Sequence, residues 1–162
     1  MRCTLGIDTA VKVTHSITSE TSKPPEAQSV GQFKTVTYTS KTVIRNRRFD
    51  GAIDVVERTN LPVVSPQSAE TSLKVLLKEP PGLAESESSD PIDLNRPDGF
   101  RVQWGTGDGD TGLLKGNILD KEQGKFMWVG TVEAGDEAVL ESVWDVRAPV
   151  DIPWNEVTVL SR

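Results

Sequence analysis

The stretch "QWGTGDGDTGLLKGN", Gln103 to Asn117, sets two aspartates, Asp108 and Asp110, at alternate positions among five glycines. Carboxylate oxygens spaced in that way can converge on a calcium ion. An EF-hand loop counted from Asp108 needs a glycine at its sixth position and a bidentate carboxylate at its twelfth. Leu113 and Leu119 stand there instead. The run also lacks the Gly-Lys-Ser/Thr ending of a phosphate loop, and a dinucleotide fingerprint needs a following helix that these flanks do not provide. Glycine and aspartate are what a turn with positive backbone angles selects. The run therefore reads as a structural loop, with calcium at Asp108 and Asp110 as the alternative.

Nucleophilic catalysis needs an activated Ser, Thr or Cys beside a base. The chain has one histidine, His15, and one cysteine, Cys3. Nothing around Cys3 supplies the electropositive setting of a reactive thiol, and one Cys with one His cannot complete a tetrahedral zinc site. No catalytic, cofactor-binding or metal-binding residue is assigned, and a non-enzyme without a cofactor is expected. The basic run "RNRR", Arg45 to Arg48, suits a phosphate or carboxylate, but it precedes a turn where solvated charge is normal. The acidic run "ESESSD", Glu85 to Asp90, reads as a soluble linker, with a phosphorylation site in a mobile loop as the alternative.

The elements that must hold these residues are short and β-branched. Strand candidates are "TLGI", "AVKVTHSIT", "QFKTVTYTSKTVIRN", "AIDVVERTNLPV", "SLKVLLKEP", "FRVQW", "KFMWVGTVEAG", "EAVLESVWDVRAP" and "NEVTVL", rich in the Val, Thr, Ile and aromatic residues that fit a pleated surface. Val11, Val13 and His15 alternate with polar residues, which predicts a half-buried strand. Asp50-Gly51 predicts a hairpin between the third and fourth candidates. "SLKVLLKEP" reads as a strand ending before Pro80-Pro81, and "EAVLESVWDV" as a strand in preference to a helix. Residues 80–98, proline-rich and acidic, read as a flexible connection. Phe100, Val102 and Trp104 share one face, as do Phe126, Trp128 and Val132, while Ala138, Leu140, Trp144 and Val146 form a third inward set. Trp104, Trp128 and Trp144 are therefore core residues, and Trp154 is free to cover a sheet edge. The sum is an all-β antiparallel sandwich, immunoglobulin-like, of roughly eight to nine strands with little or no helix.

At 162 residues and 17.7 kDa the chain suits one domain with a full core. Eighteen basic residues against 24 acidic ones leave a net charge of −6, which argues against nucleic acid as a partner. No apolar run approaches the ~18 residues of a membrane span, so no membrane association is expected. A single cysteine and the absence of any Asn-x-Ser/Thr sequon point to a cytoplasmic home.

Several segments carry a resemblance in order along most of the chain: "LGIDTAVKVT", "KTVTYTSKTVIRN", "SLKVLLKEP", "GKFMWVGTVEAG", "VWDVRAP" and Trp154. Together they resemble the carboxy-terminal domain of the mucoidy-inhibitor-A-like family, in its fungal form. The resemblance implies a β-rich domain of unknown function that follows an amino-terminal domain and a coiled coil in a longer protein. It implies no catalytic residue. "ESESSDPIDLNRPDG" departs from the family pattern. The expectation is a non-catalytic module for interaction with a protein partner or for self-association as a homodimer, through exposed strand edges. The alternative is a carbohydrate- or calcium-binding sandwich using Trp154 and the Asp108/Asp110 loop.

Overall fold

Alternating apolar residues give eight strands in a computed structural model that describes residues 9–22, 33–62, 73–88, 90–105, 121 and 123–150. They are β1 (Val11–Ser22), β2 (Phe33–Asn46), β3 (Ile53–Asn60), β4 (Lys74–Glu79), β5 (Ile92–Asp93), β6 (Arg101–Trp104), β7 (Lys125–Val132) and β8 (Glu137–Pro149). Two antiparallel four-stranded sheets result, ordered β1-β2-β8-β4 and β3-β7-β6-β5. They enclose one hydrophobic cluster, the all-β sandwich that the period-two pattern predicts.

The core is built from positions that face inward in register. On β8, Ala138, Leu140, Trp144 and Val146 are buried opposite Ile44, Thr42, Tyr38 and Val36 of β2. Tyr38 and Trp144 stack with centroids 5.7 Å apart. The second sheet contributes Phe100, Val102 and Trp104, with Phe126, Trp128 and Val132; Trp104 meets Phe126 edge-on at 5.9 Å. Phe100 lies over Gly130, where an added Cβ would come within 2.6 Å of the ring. That glycine inside a strand exists to admit the ring.

Three expectations need correction. The Asp50-Gly51 turn does not close a hairpin: β2 pairs with β1 and β8, whereas β3 crosses to the other sheet and pairs with β7. Buried Asn46 diverts the chain there. Its side-chain amide donates to the carbonyls of Gly51 (2.8 Å) and Val132 (3.0 Å), and its Oδ1 accepts from the Arg48 amide. Residues 80–98, expected as a loop with little fixed structure, contain β5 and bury Leu83, whose carbonyl accepts from Trp104 Nε1 at 2.7 Å. Finally, β1 is a strand, but it is exposed over nearly its whole length instead of half-buried.

Candidate interaction edge

The exposure of β1 follows from an offset between the sheets. Thr42 of β2 donates a 2.6 Å hydrogen bond to the Glu57 carboxylate of β3, so the last strand of the second sheet lies above β2. The first sheet continues one strand further, to β1, and no described strand lies above or beyond it. The inward side of β1 is thus a shelf with no strand over it among the described residues. Val13 is 59 % exposed and Ile17 55 % exposed, although both sit opposite buried or half-buried positions of β2.

Shelf, β3 edge and core together line an open groove of about 350 Å³, with Val13, His15, Ile17, Ser40, Glu57 and Trp144 among its walls. His15 Nε2 lies 2.9 Å from Ser40 Oγ. That pair resembles the first two members of a nucleophile–base set, yet Ser40 is buried and the nearby Glu57 is engaged by Thr42 instead of orienting the imidazole. The arrangement holds His15 on the shelf and offers no activated nucleophile. Trp144 has a buried indole N–H without an acceptor, but so does Trp128 away from the groove, so this feature does not single the groove out.

Backbone parity decides what the free edge presents. The Arg47 amide donates to the Ala10 carbonyl at 2.7 Å, and these two residues extend the register that pairs Val11 with Asn46. In an antiparallel ladder the residues that bond to one neighbour alternate with those that face the other way. Even-numbered residues of β1 therefore bond to β2, and the N–H and C=O groups of Val11, Val13, His15, Ile17 and Ser19 face outward along the edge. Their side chains share the inward shelf.

The other residues singled out from sequence are scattered. Asp108, Asp110, Cys3 and Trp154 lie outside the described residues. Arg45 forms an ion pair with Glu137 of β8, so the basic run is partly neutralised along the sheet face. Asn46 within that run is the buried hub described above, and its signal was its phase with Val36, Tyr38 and Ile44. Ser86, Ser88 and Asp90 bond to one another at the surface. Trp104, Trp128 and Trp144 are buried, as their phase predicted, which removes them as a stacking platform. Among the described residues no three His, Cys, Asp or Glu side chains cluster as a metal site, and no helix is long and apolar enough to cross a membrane. Comparison with protein-family models, curated proteins and solved structures finds no match. The likeness to the mucoidy-inhibitor-A-like domain accordingly rests on the quoted segments alone.

Proposed function

We propose that the chain is a non-catalytic interaction or assembly module, working in the cytoplasm as one domain of a larger protein of the mucoidy-inhibitor-A-like kind. The single observation that carries this reading is the β1 shelf, a twelve-residue edge strand with two apolar side chains more than half exposed. Edge strands are usually short, charged or covered, because their unpaired backbone groups recruit further strands. Between Val13 and Ser19 the edge carries no Asp, Glu, Lys or Arg. Such an edge suits addition of an extended strand, whose backbone provides affinity and whose alternate side chains provide specificity.

The test compares wild-type chain with a Val13→Lys/Ile17→Lys variant, by light scattering for self-association and by capture from native extract for other partners. Both substitutions lie on exposed positions, so the variant is expected to melt with the wild type. Association of some kind is expected with the wild type and not with the variant. Equal behaviour of the two proteins in both measurements would sink the reading.

A further inference from the structure

Resting on that reading, we infer that the occupant of the β1 edge is a second copy of this chain, paired antiparallel about a two-fold axis through His15. The edge offers the backbone of odd-numbered residues, so a partner strand must align odd residues with odd ones. That condition also keeps both sets of side chains on the shelf side of the extended sheet. Among the alignments it permits, the one centred on His15 sets Val13 opposite Ile17 of the other copy, twice by symmetry, and Val11 opposite Ser19. Centring one residue later, on Ser16, would set Val13 against Ser19 and Ile17 against His15. Centring on Ile17 would set Val13 against Thr21. Only the His15 axis matches the two exposed apolar residues with each other.

Charge favours the same arrangement. Lys12 stands opposite Arg45 on the outer face at one end of β1, and Glu20 stands near the other end. An antiparallel copy centred on His15 brings its Glu20 diagonal to Lys12, a separation of about 7–8 Å that long side chains bridge. A parallel copy in register would place like charges together. The overhang supplies the room, since β3 stops above β2 and no described strand lies over either shelf. One strand per copy is a small contact beside the roughly 1,200–2,000 Å² of a stable interface. The dimer is therefore weak and concentration-dependent.

Sedimentation velocity of the full chain over a wide concentration range, with disulfide trapping in a Cys3→Ser background, tests this. Directly opposed residues in such a ladder have Cα atoms about 5.5 Å apart, within disulfide reach. Expected are a reversible dimer for the wild type, at least about tenfold weaker association for Ile17→Lys, and no change for Leu76→Lys, which alters an exposed apolar residue of the opposite edge strand, β4. His15→Cys should cross-link, and Ile17→Cys should not. Trapping through Ser16→Cys or Ile17→Cys in place of His15→Cys would overturn the axis. A wild type that stays monomeric at every concentration overturns the second copy, and the broader reading then stands or falls with capture sensitive to Ile17→Lys. A dimer weakened by Leu76→Lys and indifferent to Ile17→Lys would overturn both.

Discussion

The two flanks of the sandwich close differently. On the flank that holds β4 and β5, Arg96 binds the second sheet to the first: its Nε and Nη2 donate to the Asp98 carboxylate at 2.9 and 2.5 Å, Nη2 also donates to the Val139 carbonyl of β8 at 2.6 Å, and its guanidinium lies 5.4 Å from the Trp128 ring centre. Leu83, Phe100 and Trp128 are buried behind it. On the β1–β3 flank the sheets are joined by the Thr42–Glu57 bond, and the shelf beyond it has no cover among the described residues. On the Arg96 flank the apolar residues that point between the sheets are packed in the core and only the outward-facing Leu76 of β4 is exposed, whereas the β1–β3 flank leaves Val13 and Ile17 in solvent on the inward face. Stability should therefore concentrate on the Arg96 flank and binding on the shelf.

The largest expected effect is a core truncation. Phe100→Ala removes a fully buried ring and leaves a cavity against Gly130, so it should cost about 3–5 kcal/mol, read as a fall in the denaturation midpoint. A loss below ~1 kcal/mol would mean that the ring is not packed as described.

Next comes overpacking at the same contact. Gly130→Ala drives a methyl group into the Phe100 ring, for an expected loss of about 1–3 kcal/mol. Gly51→Ala, where a Cβ meets nothing within 4 Å, is the control and should change stability by less than about 0.5 kcal/mol. Equal losses at both positions would remove the close approach as the reason for a glycine in β7.

How much of this was legible in the sequence depends on what each residue can report. The inward faces of β6, β7 and β8 were readable because Phe100, Trp104, Phe126, Trp128, Leu140 and Trp144 all sit in period-two phase, and a large apolar residue at each inward position has only one stable placement. Sheet assignment was not readable. Asp50-Gly51 gives a local turn signal, whereas the departure of β3 to the other sheet is set by Asn46 bonding both to nearby Gly51 and to Val132, which is 86 residues away in sequence. Leu83 was missed because a lone apolar residue in a proline-rich acidic stretch has no periodicity to reveal it. Alternation in β1 correctly told which side chains share a face. It could not tell whether another layer covers that face, because coverage belongs to β3 and to the offset between the sheets. The groove was illegible for the same reason: Val13, Ser40, Glu57 and Trp144 meet from four strands.

A smaller effect, with a pH signature, is expected at the Arg96 clasp. Burial pushes the Asp98 carboxyl up, but hydrogen bonds from Arg96 and from the Phe100 amide, with the Arg96 charge, outweigh it and hold the group below its ordinary value. A carboxylate whose folded value is depressed stabilises the fold above its unfolded value of about 4, and that contribution is lost as pH falls through the folded value. Arg96→Lys keeps the charge and loses the planar fork, for about 1 kcal/mol at neutral pH, given that both side chains remain about a quarter exposed. Asp98→Asn should flatten the loss of stability below about pH 4 relative to the wild type. An unchanged acid limb in that variant would show that Asp98 does not gain from its clasp.

The smallest expected effect on stability tests the other half of the comparison. Val13→Ser and Ile17→Ser replace side chains that are already more than half in water, and their β-branched backbones already fit the strand. Serine forms strands less readily than valine or isoleucine, but little packing is lost, so each change should alter monomer stability by about 0.5 kcal/mol or less. The measurement is chemical denaturation at a concentration too low for association. A loss approaching that of Phe100→Ala would mean that the shelf is covered by its own chain, and the edge would then be part of the core. A negligible loss, paired with weakened association in the same proteins, separates the two flanks as the offset between the sheets requires: apolar residues that contribute almost nothing to folding have kept their free energy for a partner.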